Sequence, residues 1–326
     1  CRNKAQYPVG FDGGRARIGF YARRSHRIAE IEDCRQVPAE FADLIRAVSR
    51  WIHESGADIY DESTGKGLLR HIFIRKGFAT GEILLCLVIN GNAVPMERAL
   101  CEAALAAHPL AGIVLNVNTA RGNAILGSGE RILYGKGTVL DRMLGLEYEI
   151  SVRSFYQVNP EMTRRLYQKA AELARPQGKI ILDLYCGVGS VGLSMAREAA
   201  RVIGVEIEPK AVENARMNAA RNHIGNAEFH CMDAARAAAF LHKKGVRPDV
   251  VLLDPPRKGC GGGLIGTVAQ EMKPERVVYI SCEPSTLARD LKRFAELGYE
   301  TRQAAPFDLF PRTGHVECVV LMSRVN

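Results

Sequence analysis

Cys282 and Glu317 are residue types that can act together on a pyrimidine ring. Cys282 follows the apolar segment VVYIS and precedes a predicted helix start at Pro284. A thiol beside a helix N-terminus is expected to have a lowered pKa and to be a better nucleophile, whereas a thiol inside a strand is inert. Glu317 opens an apolar strand, CVVLM, where a carboxylate is unfavourable unless it has a partner or a task.

A thiol and a carboxylate suit carbon methylation of a pyrimidine. Carbon C5 of uracil is a weak nucleophile, but a thiolate that adds to C6 turns the ring into an enolate whose C5 attacks an electrophilic methyl group. A base must then remove the C5 proton so that the thiol can leave. This chemistry assigns the first step to Cys282 and the last to Glu317. It also requires a target base that is unstacked or flipped out of a helix.

The segment KIILDLYCGVGSVG, residues 179–192, predicts a loop that binds a nucleotide-like ligand. A short apolar run, typical of a buried strand, is followed by three glycines and a helix-forming segment. Glycines allow a tight turn and a close approach of the backbone to a ligand. Gly187, Gly189 and Gly192 also satisfy the dinucleotide pattern G-x-G-x-x-G, so the loop alone leaves a nicotinamide enzyme and an S-adenosylmethionine enzyme open.

Acidic residues are predicted at the ends of the strands that follow this loop. Glu206 ends the second predicted strand, where a carboxylate can accept hydrogen bonds from both ribose hydroxyls. Asp233 ends the third strand and Asp254 the fourth, while Cys282 ends the fifth. Ligands of parallel sheets bind at the carboxyl ends of the strands, so we expect these side chains to share one site. Taken alone, Asp233 is slightly better explained as a helix cap.

The elements that position these residues predict two domains, 1–150 and 151–326. After residue 150, strands and helices alternate, which predicts an α/β domain with a parallel sheet and right-handed crossovers. Before residue 150, the pattern predicts helices at 41–55 and 96–107, two strands within 68–90 and short strands from 113 to 150. We therefore predict a smaller α+β domain ahead of the α/β domain.

The composition is that of an ordinary globular protein, with 47% hydrophobic and 25% charged residues. No segment approaches 18 consecutive apolar residues and no signal-peptide pattern is present, so we expect a cytoplasmic protein without membrane association. The nine cysteines form no C-x-x-C pair, which predicts reduced thiols that mostly lie in the core, including Cys34. The chain begins with Cys1, from which we expect a fragment of a longer protein.

Most of the net charge of +8 lies in residues 1–27, which hold seven basic residues and one acidic residue. Aromatic residues are interleaved with them, at Tyr7, Phe11, Phe20 and Tyr21. This pattern predicts contacts with RNA phosphates and bases, although a solvated basic hairpin fits it equally well.

The motifs SFYQVNP, LDLYCGVGSVGL, LLDPPRKG, YISCEPSTLARDL and PFDLFPRTGHVECVVLM together resemble the RNA uracil-C5 methyltransferases that depend on S-adenosylmethionine. That family includes ribosomal-RNA and transfer-RNA 5-methyluridine enzymes. The resemblance covers the C-terminal half and continues weakly into RNKAQYPV at the start. It implies a Rossmann-like class I methyltransferase domain, with a seven-stranded and mostly parallel sheet, and an RNA partner. The central region and the TGHVECVVLM ending are similar to the ribosomal branch, so 23S ribosomal RNA is favoured, with transfer RNA as the alternative.

The resemblance also implies roles for individual residues. Cys282 corresponds to the nucleophile and Glu317 to the proton acceptor, while Arg257 and Arg289 correspond to supports of the base or of a phosphate. The cofactor site is implied to comprise six residues: Gln157, Tyr185, Ser190, Glu206, Asp233 and Asp254. Ser190 stands where some relatives have Asn, an exchange expected to keep a hydrogen bond.

Family members often carry an N-terminal oligonucleotide-binding barrel and four cysteines that hold an iron–sulfur cluster. Cys34 resembles the last of these cysteines, but the region expected to hold the other three is absent and Cys1 falls too late in the pattern. We therefore expect no metal centre in this chain, while the resemblance allows a cluster in a full-length protein.

Three other functions were weighed against uracil methylation. A cytosine-C5 RNA methyltransferase shares the thiol chemistry but is expected to have a cysteine near Pro255 and Pro256, where there is none. A nicotinamide dehydrogenase fits the glycine loop and Glu206. A non-catalytic RNA-binding module fits the basic N-terminus but leaves Cys282 and Glu317 unexplained.

Overall fold

The computed structural model describes residues 1–22, 25, 27–30, 34–122 and 124–325. These residues form two compact units. One unit comprises Cys1–Arg142 and Tyr148–Arg153, and the other comprises Met143–Glu147 and Ser154–Asn326. In the part of the chain that is described, no helix is both long and apolar enough to cross a lipid bilayer.

The first unit is built on a seven-stranded sheet. Its strands, in chain order, are β1 (Lys4–Asp12), β2 (Arg15–Tyr21), β3 (Ile28–Glu30), β4 (Leu69–Lys76), β5 (Ile83–Ile89), β6 (Gly112–Val117) and β7 (Gly129–Gly135). The spatial order is β3-β2-β1-β4-β5-β6-β7. Only β5 and β6 are parallel neighbours, and all the other pairs are antiparallel. A separate hairpin is formed by β8 (Thr138–Met143) and β9 (Leu146–Ser151).

Two helices, α1 (Glu40–Ser55) and α2 (Glu97–Ala107), complete the first unit. The buried residues of α1 recur at helical spacing and include Phe41, Leu44 and Trp51. The helix ends at Gly56, whose φ of +65° is the left-handed conformation that glycine adopts at least cost. Because these apolar side chains belong to the same core as the sheet, burial of one helix face holds α1 in place.

The basic N-terminal stretch is less available to a partner than its sequence indicates. Arg15 and Arg17 both pair with Glu30. Tyr7 is buried and packs on Phe20, with 5.1 Å between the ring centroids, so it is not a free stacking surface. Phe11 and Tyr21 are 68% and 43% exposed. The contributions of Arg23 and Arg24 lie outside the described residues.

The second unit contains a second seven-stranded sheet. Its strands are β10 (Ile180–Leu184), β11 (Arg201–Glu206), β12 (Ala227–Cys231), β13 (Val250–Leu253), β14 (Arg276–Ser281), β15 (Tyr299–Phe307) and β16 (Glu317–Arg324). The spatial order is β12-β11-β10-β13-β14-β16-β15. Strands β10 to β14 run parallel, and the antiparallel hairpin β15–β16 is added beside β14. The predicted classes, α+β for the first part of the chain and α/β for the second, are confirmed. The predicted domain boundary at residue 150 stays a prediction.

The helices of the second unit follow the predicted alternation, with one difference. They are α3 (Pro160–Ala174), α4 (Ser190–Met195), α5 (Pro209–Arg221), α6 (Ala234–Lys243), α7 (Gly262–Gly266) and α8 (Pro284–Glu296). The difference is at α7, which is short and is continued by a π-helical segment, Thr267–Met272. Proline at the first turn starts α3, α5 and α8, since its fixed φ suits the first helical position.

The cysteines are all free thiols in the structure, as predicted. The prediction that most of them lie in the core is wrong, because only Cys86, Cys186 and Cys260 are buried. Cys34, predicted to be buried, is partly exposed. In the described residues, no three metal-ligating side chains lie close enough together to hold a metal ion.

Candidate active site

The glycine loop after β10 is fixed by two carboxylates. Asp183 Oδ2 accepts a hydrogen bond from Gly192 N at 2.9 Å. Glu206, at the end of β11, accepts from Gly187 N through Oε2 at 3.1 Å. Its other oxygen, Oε1, accepts from Ile207 N at 2.7 Å and Glu208 N at 2.9 Å. Main-chain amides therefore hold the Glu206 carboxylate at the strand end predicted from the sequence.

Gly192 is needed for the closeness of this packing. A Cβ atom at Gly192 would lie 2.8 Å from Asp183 Oδ2 and 3.0 Å from Val202 Cγ1, which would break the carboxylate contact. At Gly187, where φ is +55°, no atom lies within 4 Å of the position of a Cβ. The loop is thus packed tightly on its strand side and has open space beside Gly187.

The other predicted cofactor residues lie around this loop with different exposures. Gln157 is buried, as is Ser190, whose Oγ is 2.9 Å from Tyr167 Oη. Tyr185 has φ +68°, a left-handed conformation that is uncommon for a residue with a side chain. Burial raises its pKa, with a further contribution from nearby Cys260. Asp233 is exposed and caps α6 by accepting from Ala235 N and Arg236 N, both through Oδ1 at 3.1 Å.

The antiparallel pairing of β14 and β16 brings Cys282 and Glu317 together. Ser281 pairs with Cys318, so the next position on each strand is Cys282 on one side and Glu317 on the other. Although 35 positions separate them in sequence, the two side chains interact electrostatically. The structure therefore places the predicted nucleophile next to the predicted base, at the carboxyl end of β14.

The prediction that Cys282 has a lowered pKa is wrong for the protein without ligands. Burial raises the pKa of the thiol, the nearby Glu317 and Asp254 carboxylates raise it further, and the Arg257 guanidinium opposes them. Proximity to the start of α8 does not compensate, and that helix start is already occupied by Glu283, which caps it. Local sequence indicated the helix but not the acidic surroundings.

Three acids of the site have raised pKa values. Burial raises the pKa of Glu317 to about 8, and the charge of Asp254 adds to this effect. Burial likewise raises the pKa values of Asp254 and Asp183 to about 7, and for Asp183 the charges of Asp254 and Glu206 contribute while the bond from Gly192 opposes. Among the described residues none of the three forms an ion pair. This is a buried acidic cluster without a counter-cation, a feature typical of functional sites.

The two arginines named in the sequence analysis have different surroundings. Arg257 is exposed, and its guanidinium is near enough to the Cys282 thiol to favour the charged form of the thiol. Arg289 donates to the carbonyl of Lys258 at 2.8 Å and pairs with buried Asp290. The described contacts of Arg289 are therefore with the protein itself.

A cavity of about 1280 Å³ lies in the first unit. It contains none of the predicted catalytic and cofactor residues, but Phe11 and Tyr21 line it. It is lined in part by β1, β2 and residues 56–63, and most of its charged side chains are acidic. The chemistry-bearing residues of the chain are instead those of the second sheet.

The family model described as tRNA (uracil-5-)-methyltransferase matches residues 120–325. The chain belongs to this family. It is 44% identical to a protein of Clostridium acetobutylicum named an uncharacterized RNA methyltransferase, and 45% identical to a protein of Bacillus cereus with the same description. Each alignment covers the whole chain and 71% of the relative.

A solved structure gives the same assignment. The tRNA (uracil-54, C5)-methyltransferase of Pyrococcus abyssi, in complex with S-adenosyl-L-homocysteine, matches with a TM-score of 0.85 and 29% identity. The match covers 98% of this chain and 75% of that chain. The predicted family, the class I methyltransferase fold and the dependence on S-adenosylmethionine are confirmed.

The residues at the strand ends fit the cofactor of this family. S-adenosylmethionine has a cationic sulfonium, a cationic ammonium group and a ribose with two hydroxyls. Acids without a counter-cation, such as buried Asp183 and partly buried Asp254, favour a cationic ligand because a cation offsets the cost of their desolvation. Glu206 offers fixed acceptor oxygens beside the open space at Gly187.

Asn159 and Asp290 are buried polar residues of this unit that were not predicted as site residues. Asn159 caps α3 by accepting from Met162 N, and it donates to the carbonyl of Leu309 at 3.3 Å. Asp290 is completely buried on α8. The only sequence signals were their places in SFYQVNP and in TLARD, which do not distinguish a ligand contact from a contact within the protein.

Proposed function

We propose that the protein transfers a methyl group from S-adenosylmethionine to C5 of a uridine in RNA, through a covalent bond between Cys282 Sγ and C6 of the base. One observation carries this proposal. Cys282 and Glu317 lie opposite each other where β14 ends and β16 begins, and both lie near Asp254 of the acidic cluster. An amino-group methyltransferase or a dehydrogenase has no need of a thiol paired with a carboxylate in this way.

The reaction has three steps, which are thiolate addition, methyl transfer and proton removal. The Cys282 thiolate bonds to C6, and the electron pair of the C5–C6 double bond moves into the ring as an enolate. S-adenosylmethionine, when bound, supplies an electrophilic methyl group. The bond from C5 to this methyl forms as the bond from sulfur to the methyl breaks. Glu317 then takes the C5 proton. The electron pair of the broken C5–H bond restores the C5–C6 double bond, and Cys282 leaves as a thiolate.

The protonation states of the free protein predict the pH dependence of this reaction. Glu317, with a pKa raised to about 8, is mostly a neutral acid at pH 7, and the pKa of Cys282 is raised as well. Both groups must be deprotonated to act, so kcat/KM is expected to rise with pH through about 8, where Glu317 ionises, and to keep rising until the Cys282 thiol ionises. Arg257 assists by stabilising the thiolate.

The cofactor set of Gln157, Tyr185, Ser190, Glu206, Asp233 and Asp254 is part of this proposal. Glu206 is suited to the ribose hydroxyls because its carboxylate is fixed by main-chain amides. Asp254 is suited to the cationic part of the cofactor, since it lies within electrostatic range of both Cys282 and Glu317. In Asp233 both capping bonds use one oxygen, Oδ1.

We propose 23S ribosomal RNA as the target, on the similarity of the TGHVECVVLM ending to the ribosomal branch. Transfer RNA is the second candidate. It is supported by the description of the matching family model and by the substrate in the name of the Pyrococcus abyssi protein.

We further propose that residues 151–326 form the catalytic domain and that residues 1–150 contribute to RNA binding. The support for an RNA-binding role is the pair of exposed aromatic residues, Phe11 and Tyr21, on which bases can stack. The ion-paired Arg15 and Arg17 support it less than their charge indicates.

The test uses RNA hairpins in which the target uridine is replaced by 5-fluorouridine. Fluorine at C5 cannot be removed as a proton, so the reaction should stop at the covalent adduct. We expect, with S-adenosylmethionine present, a protein–RNA adduct that carries one added methyl in intact-mass measurement. Hairpins from ribosomal RNA and from transfer RNA, compared side by side, distinguish the two target classes.

The controls are Cys282→Ala and Cys231→Ala. Cys231 is an exposed thiol of the same unit, next to Ile207, and lies outside the proposed mechanism. We expect the adduct to disappear in Cys282→Ala and to persist in Cys231→Ala. An adduct that survives in Cys282→Ala, or methylation of ordinary RNA by that variant, would overturn the mechanism.

A further inference from the structure

The loop of residues 255–260, PPRKGC, carries Arg257 from the end of β13 to the neighbourhood of Cys282. Pro255 and Cys260, at the ends of this loop, are buried, whereas Arg257 and Lys258 are exposed. Polar side chains of the first half of α8 bind the exposed part and the end of the loop.

Two side chains of α8 bind main-chain carbonyls of this loop. Thr286 Oγ1 donates to the carbonyl of Arg257 at 3.0 Å. Arg289 Nη2 donates to the carbonyl of Lys258 at 2.8 Å. Consecutive carbonyls are thus bound from one helix, which fixes the peptide groups on both sides of the Lys258 Cα. The carbonyl of Pro256, on the other side of Arg257, accepts from Gly259 N at 2.8 Å.

Asp290 anchors the end of the same loop from a completely buried position. Its Oδ2 accepts from Cys260 N at 2.6 Å and from Tyr279 Oη at 2.7 Å. Its Oδ1 accepts from Arg289 Nε at 2.9 Å. Asp290 therefore connects the loop, the strand β14 that precedes Cys282, and the helix that follows it.

Gly259 allows the loop to lie this close to α8. Its φ is +73°, and a Cβ atom there would lie 2.5 Å from both Arg289 Nη2 and Asp290 Oδ2. By contrast, Gly261, two residues further on, has φ −71° and no atom within 4 Å of the position of its Cβ. Substitution by alanine is therefore expected to displace the loop at Gly259 and to leave it in place at Gly261.

We propose that Asp290, together with Arg289 and Thr286, is a positioning residue that holds the 255–260 loop against α8, and so keeps the Arg257 guanidinium near Cys282, two residues before that helix. This proposal rests on the proposed function, in which Cys282 acts as a thiolate. It gives the Thr, Arg and Asp of the TLARD motif one shared task. They orient Arg257, whose charge opposes the raised pKa of Cys282.

The experiment measures the pH dependence of Cys282 alkylation by iodoacetamide, with the modified peptide identified by mass. It needs neither RNA nor cofactor, and the exposed Cys231 in the same sample is an internal reference. The variants are Arg257→Met, Asp290→Asn and Gly259→Ala, with Gly261→Ala as the matched control. Binding of S-adenosylmethionine by each variant checks that the second unit is folded.

We expect Arg257→Met to move the midpoint of alkylation up by about one pH unit, which slows alkylation at pH 7 by about threefold once the higher nucleophilicity of the more basic thiolate is included. Asp290→Asn and Gly259→Ala should show the same shift, and Gly261→Ala should show none. The double variant Arg257→Met with Asp290→Asn should shift no further than Arg257→Met alone, because both changes remove the same contact.

Two results would overturn the proposal. One is a midpoint that stays at the wild-type value in folded Asp290→Asn and Gly259→Ala while Arg257→Met shifts it. The other is an unchanged midpoint in Arg257→Met. Failure of the proposed function has a different signature, namely a wild-type protein that forms no adduct with fluorouridine RNA although the alkylation shifts are present.

Discussion

Arg70 and Asn116, buried in the first unit, have different surroundings from the three acids with raised pKa values in the second unit. In the first unit, buried Arg70 donates to the carbonyls of Asn118 at 2.7 Å and Ala120 at 2.9 Å, and it lies 4.3 Å from the ring centroid of Tyr60. Buried Asn116 binds the carbonyls of Gly127 and Gly129. In the second unit, the buried acids Asp183, Asp254 and Glu317 face one another's charges without an ion-pair partner among the described residues.

This difference separates structural polar groups from functional ones. A buried cation whose hydrogen bonds end on loop carbonyls replaces bonds to water and fixes the path of the chain. Buried acids that raise one another's pKa values lower the stability of the fold, so their presence requires another explanation. In this chain the explanation that we propose is a cationic cofactor and a reaction that needs a base.

The largest effect is expected for Glu317→Gln. We expect methylation to fall by about 10²- to 10⁴-fold, since the base for the C5 proton is lost. We expect the covalent adduct to accumulate on ordinary uridine RNA, because the steps before proton removal do not need Glu317. Denaturing electrophoresis and single-turnover methylation measure the two outcomes, and a variant that turns over at the wild-type rate would exclude Glu317 as the base.

The same substitution should stabilise the protein in a pH-dependent way. Glu317 has a pKa of about 8 when folded, against an ordinary value of 4.5. Between these pH values the unfolded chain has lost a proton that the folded protein keeps, so wild-type stability falls as pH rises. The Tm of Glu317→Gln should therefore equal the wild-type Tm near pH 4.5 and exceed it by a few degrees at pH 8. Glu283→Gln, at a carboxyl with a lowered pKa, should show no such gain.

In the first unit the comparison predicts the reverse pattern for Arg70→Met. Methionine fills the space of the aliphatic stem but leaves the carbonyls of Asn118 and Ala120 without their donor, which should cost about 1–3 kcal/mol in free energy of unfolding. The pH dependence of methylation should not change. Urea denaturation tests the loss, and Arg98→Ala, at an exposed i,i+4 pair on α2, is a control expected to show no measurable change. An unaltered unfolding midpoint in Arg70→Met would show that the hydrogen bonds of Arg70 do not stabilise the first unit.

Local sequence was sufficient for the elements and for the edge of the sheet that carries the site. The strand, glycine loop and helix around Gly187 are determined by neighbouring residues, as are the acids that end successive strands. Parallel strands share their carboxyl ends, so the location of the site followed from the alternation alone.

The proximity of Cys282 and Glu317 could be suggested by chemistry and by resemblance but not by local pattern. It depends on β16 lying between β14 and β15, an order set by long-range packing. The raised pKa of Cys282 depends first on burial and then on Glu317 and Asp254, which come from other strands. For the same reason the polar residues of α8 resembled an ordinary solvated helix face, although Asp290 is completely buried.

The smallest effect is expected for Arg15→Ala, and it extends the comparison to the surface of the first unit. Arg15 Nη2 is 2.9 Å from Glu30 Oε2, which also pairs with Arg17, so its charge is partly offset within the protein. We expect RNA affinity to change by less than about twofold and the slope of log K against log salt to stay constant. A slope lower by about 0.7 would instead mean that Arg15 contacts a phosphate. Phe11→Ala, which removes an exposed ring, is the comparator and should weaken binding by about 1–3 kcal/mol if a base stacks there. Equal losses in both variants would show that ion-paired arginines of this unit bind RNA as well as its free aromatic residues do.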